Sequence, residues 1–92
     1  VQIYLDPDKP GVPNDLHATY FDAQGNGLAV TGITATVAAG DGAPASVTLQ
    51  TLDPGHVVGR LASPSGPQKI SYRGTAPDGT VLQATLTITP GQ

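Results

Sequence analysis

Apolar and polar residues alternate with a period of two along much of the chain. Ile33, Ala35 and Val37 alternate with Thr34 and Thr36, and Leu82, Ala84, Leu86 and Ile88 with Gln83, Thr85 and Thr87. That period belongs to strands with one apolar and one wet face. The same parity turns Leu16, Ala18 and Tyr20 inward. It also turns in Val57 and Leu61, with Gly59 between them, and Ile70 and Tyr72. Seven runs read as strands, at about 2–6, 15–22, 31–38, 45–51, 55–62, 68–74 and 80–88. Pro7 to Pro13, Asp22 to Gly27, Gly40-Asp41-Gly42, Asp53-Pro54-Gly55, Pro64 to Pro67 and Pro77-Asp78-Gly79 punctuate them as turns. Pro or Gly interrupts nearly every window long enough for a helix. The pattern predicts an all-β fold, a seven-stranded antiparallel immunoglobulin-like Greek-key sandwich, as one domain over 1–92.

Composition narrows the chemistry. The chain has 92 residues, with 12 Gly, 9 Pro, and no Cys, Met or Trp. Disulfides, thiolate zinc sites, thiol nucleophiles and thioether copper ligands are therefore excluded. All seven acids are Asp, against four Lys and Arg, for a net charge of −3. That balance argues against nucleic acid and anionic membrane surfaces as partners. The longest mostly apolar stretch, Leu28 to Ala39, is broken by Thr and Gly and falls short of the ~20 residues that span a bilayer. No signal peptide is visible, and the sequence opens directly in a strand, which reads as a domain excised from a larger protein.

Most chemical motifs fail. Asp22-x-Gln24-x-Asn26-Gly27 imitates the start of an EF-hand loop, but the position of the bidentate Glu is Ile33 and the flanks read as strands. A hairpin turn is the simpler reading. Ser46, Ser63, Ser65 and Ser71 lie in no nucleophile elbow, and no glycine-rich loop leads into a helix. The chain reads as non-enzymatic.

Two histidines remain, and both face outward by parity. Neutral imidazole suits copper or zinc, so His17 and His56 are candidate ligands. Pairing the second strand antiparallel with the fifth sets His17 opposite about Arg60, and Phe21 opposite about His56. The histidines would then lie about 13–17 Å apart at about 3.3 Å per residue, too far to share one ion. The same pairing puts His17, Thr19, Phe21, His56, Val58 and Arg60 on one outer face, a candidate interaction patch.

Three segments carry a family resemblance. They are Leu5-Asp6-Pro7 through Pro10-Gly11 to Asn14-Asp15-Leu16-His17, then Tyr20-Phe21-Asp22 to Gly25, then Leu52-Asp53-Pro54-Gly55-His56. Together with Tyr72 to Gly79 they resemble the YtkA-like domain, found at the extracytoplasmic C-terminus of bacterial copper-resistance protein D type membrane proteins. The resemblance implies an immunoglobulin-like fold outside the cytoplasm, serving docking or metal handover. Its partner would be the membrane-embedded remainder of the parent or another copper-handling protein. Copper is the cofactor it implies, with His17 or His56 as ligand and Asp22 or Asp53 nearby. Asn14, His17, Asp22 and Gly55-His56 occupy recurring family positions. The family's Gly-x-Trp is replaced by Gly66-Pro67-Gln68-Lys69-Ile70. An alternative of another class is a passive spacer or adhesion module, because invasin-type domains share a D-x-x-G-N turn like that at Asp22.

Overall fold

The computed structural model describes residues 1–62 and 64–91. The chain is all-β, with eight strands: β1 (Gln2–Asp6), β2 (Asn14–Thr19), β3 (Thr31–Ala39), β4 (Ala45–Val47), β5 (Leu49–Asp53), β6 (His56–Leu61), β7 (Gln68–Thr75) and β8 (Val81–Ile88). Two four-stranded sheets pack face to face, in the orders β1-β2-β6-β5 and β4-β3-β7-β8, and every pairing between neighbours is antiparallel. No helix among the described residues is long and apolar enough to cross a membrane.

The inward parity holds. Leu16, Ala18, Val57 and Leu61 of the first sheet meet Ala35, Ile70 and Tyr72 of the second, and all are buried. Such burial is worth about 1.5–3 kcal/mol for each large aliphatic or aromatic side chain.

The expected count of seven strands is corrected to eight, because the run at 45–51 divides. Ala45–Val47 pairs with β3, whereas Leu49–Asp53 pairs with β6 in the other sheet. The chain changes sheets across Thr48. Gly59 on β6 makes room for this: a Cβ there would press on Val47 Cγ1 at 2.5 Å and Leu49 Cδ2 at 3.0 Å. Alternation alone hides such a break, since both halves keep the period of two.

Buried amide side chains hold the loops. Asn14 is fully buried, and its Oδ1 accepts hydrogen bonds from the Asp8 and Lys9 amides while its Nδ2 donates to the Lys9 and Val12 carbonyls. It thus replaces the ladder that the proline-rich connection cannot form. Gln68 does the same for the later turn, donating to the Ser65 and Gly66 carbonyls.

Candidate functional site

The outer face of the β1-β2-β6-β5 sheet carries the histidines. Tyr4, His17, Val58 and Gln50 form one register row across the four strands, and Thr19 pairs with His56 one step along. Tyr4 stacks on His17 with ring centroids 4.6 Å apart and planes 3° from parallel. His17 and His56 lie with ring centroids 5.9 Å apart and planes tilted by 42°. They are diagonal neighbours across an antiparallel pair, the next-closest relationship after direct opposition.

This corrects the separation of about 13–17 Å expected from strand pairing alone. The pairing of the two strands is as expected, but the register lies two residues away. Arg60 stands opposite Asp15, and His56 opposite Thr19. A slip of two leaves each side chain on its face, because the pleat repeats every second residue. The anchor of the register is Gly55. Its carbonyl accepts the Tyr20 amide at 3.0 Å, and the Tyr20 carbonyl accepts the Leu28 amide at 2.9 Å. Gly55 has φ of +77°, and a Cβ there would run into the Leu28 carbonyl oxygen. Only glycine fits this approach, so Tyr20 locks against Gly55 and the histidines slide together.

Both imidazoles are half-buried rather than freely solvated. His17 Nδ1 and His56 Nε2 are buried and have no hydrogen-bond partner among the described residues. Burying a polar atom unpaired costs about 1–3 kcal/mol. A neutral imidazole nitrogen without a proton carries a lone pair for a metal. With metal–nitrogen bonds of about 2.0–2.1 Å, two imidazoles on one ion set their ring centres about 5–6.5 Å apart. The observed 5.9 Å lies within that span.

The other candidates divide. Among the described residues no group of three or more His or Asp side chains is placed to hold a metal. Asp22 is engaged in its hairpin: its Oδ1 accepts the Gln24 and Asn26 amides, both at 2.9 Å. Arg60 Nε donates to Asp15 Oδ1 at 3.2 Å, an exposed pair worth about 0–1 kcal/mol. Arg60 also offsets the repulsion between Asp15 and Asp6, which stand opposite one another. Ser63 lies outside the described residues. An open groove of about 510 Å³ between Val37, Ser46, Leu61 and Gln68 holds no histidine.

The apolar rim of the site is wider than sequence parity indicated. Phe21 is 41% exposed and Tyr4 46%, whereas the exposed Leu52 lies by Val30 to Ile33. Tyr4 was legible as the outward residue between Ile3 and Leu5, but its place beside His17 required the β1–β2 register. Comparison with known protein families, with characterised proteins and with solved structures finds no match to this chain.

Proposed function

We propose that this chain is a non-enzymatic, extracytoplasmic accessory domain of a bacterial copper transport or resistance membrane protein. Its fold in this reading is immunoglobulin-like, and it docks through the outer face of the β1-β2-β6-β5 sheet and assists copper handover there. The observation that carries the reading is the juxtaposition of His17 and His56, with Tyr4 stacked on His17 and two buried ring nitrogens left unpaired. The exposed Phe21, two residues beyond Thr19, supplies apolar contact area for a protein partner. The resemblance over Leu5 to His17, Tyr20 to Gly25 and Leu52 to His56 supplies the copper context.

The spacer or adhesion alternative rests on the turn at Asp22 to Asn26, which does close a hairpin through the Asp22 amide and the Asn26 carbonyl. It gives no reason for two unpaired imidazole nitrogens on one face.

Deleting the domain from its parent protein tests the proposal. Loss of copper tolerance or of copper uptake in the deletion strain, restored by the intact chain, is the expected result. Unchanged copper handling would remove the accessory role and leave the spacer.

A further inference from the structure

We infer that His17 and His56 together form one two-imidazole site for a single cuprous ion, with Tyr4 stacked on the His17 ring. The choice of copper rests on the function proposed above, whereas the pairing of the rings rests on geometry alone. The two rings are 5.9 Å apart, within the span set by two metal–nitrogen bonds and a wide angle at the metal. Each ring has one nitrogen buried without a partner, and a shared ion would satisfy both at once.

The donor count selects the ion. Among the described residues no third His or Asp side chain joins the pair, and the chain has no Cys or Met. Structural zinc takes four protein ligands, and a catalytic zinc three. Cupric ion prefers a tetragonal set of nitrogen and oxygen donors. Cuprous ion, with a filled d shell, is content with two nitrogens near a line. Neutral imidazole accepts it without a buried counter-charge.

The surroundings suit transient binding. Tyr4 lies flat on His17 and shields one face of that ring from water. Both histidines remain half-exposed, so a docked partner meets the imidazole rings even though the two unpaired nitrogens are buried. A site of two ligands exchanges by adding a third from the partner and then losing one of its own. No electron moves and no proton leaves when the ring nitrogens are already unprotonated.

Anaerobic titration of the chain with cuprous ion against a chromophoric chelator tests the site, with zinc and cupric ion in parallel. One cuprous ion per chain is expected, bound more tightly than either divalent ion. His17→Gln and His56→Gln should each weaken binding by at least about tenfold, since removing even a supporting partner of a ligand costs that much. Circular dichroism of both variants checks that they fold, and histidine ring resonances should shift together at both positions. Full binding retained by either single variant would overturn the shared site, as would tighter binding of zinc. Binding no stronger than that of the double variant would overturn it too. Cuprous binding in a chain whose deletion leaves copper tolerance unchanged would keep this site and remove the accessory role. The opposite result would remove this site alone.

Discussion

The ring of Tyr4 lies on the imidazole of His17, 4.6 Å between centroids and 3° from parallel, on two strands paired so that these residues stand opposite one another. Stacked aromatic pairs contribute about 0.5–1.5 kcal/mol beyond the area they bury. Tyr4→Ala should lower stability by about that amount in urea unfolding. It should also speed chemical modification of His17 by an imidazole-directed reagent, read by mass spectrometry. An unchanged modification rate would show that the stack does not shield the ring.

Phe21 is exposed beyond the end of β2. Phe21→Asp should shift stability by no more than about 0.5 kcal/mol. In the docking role proposed above, the same change should abolish co-purification of the separately expressed chain with the membrane-embedded remainder of its parent. Retained co-purification would place docking on another surface.

Asn14 makes four hydrogen bonds to a loop that has no ladder of its own. Asn14→Ala leaves buried amides and carbonyls unpaired, at about 1–3 kcal/mol for each group that water cannot reach. A total loss of about 2–4 kcal/mol is expected in equilibrium unfolding. Asn14→Asp should cost more, because a carboxylate oxygen would replace the Nδ2 donor against the Lys9 and Val12 carbonyls. Equal stability of Asn14→Asp and the unmodified chain would contradict the clamp.

Gly55→Ala places a methyl group against the Leu28 carbonyl in a backbone region with φ of +77°. The change should cost more than about 1 kcal/mol, since the strain of that φ and the steric contact add. It should also alter the β2–β6 register. The readout is the loss of nuclear Overhauser contacts between the His17 and His56 rings.

Burial raises the Tyr72 hydroxyl far above the ordinary tyrosine range, and the nearby Tyr20 phenol adds to the shift. Tyr20 is raised by burial as well. The folded state therefore holds these protons more tightly than the unfolded chain does, whose tyrosines titrate near about 10. Their contribution is complete below about pH 10 and is lost as pH rises beyond it. Stability should fall above that pH, and Tyr72→Phe should flatten the fall. Neither Tyr20 nor Tyr72 has a hydroxyl partner among the described residues. The Phe variant should therefore match or exceed the parent in stability at neutral pH. A steeper alkaline loss in Tyr72→Phe would refute the assignment.

The faces of the strands were legible because parity is local: Leu16, Ala18, Val57, Leu61, Ile70 and Tyr72 all point where alternation put them. The turns were legible from Gly, Pro and Asp for the same reason. The register between β2 and β6 was not, because it is set by a contact among Tyr20, Gly55 and Leu28 that no window of sequence contains. A two-residue slip there decides whether the histidines are neighbours or strangers. The sheet change at Thr48 was hidden because its cause, the missing side chain at Gly59, lies eleven residues away in sequence. Nothing in the sequence around Asn14 signals its role as a loop clamp, which emerges only from its four bonds.

The crossing at Thr48 binds the two sheets like the spine of a book. β4 and β5 form the bound margin, and β1 and β8 form the free one. Only the described hydrogen bond from the Gly91 amide to Asp8 Oδ1 ties the chain segments beyond β1 and β8. Thermal opening should then begin at the free margin, where edge strands have a ladder on one side only. Tyr4 sits on that margin and His17 one strand further in. The ring stacked on His17 thus belongs to the leaf of the fold that lifts first, while both imidazoles stay on the inner strands β2 and β6.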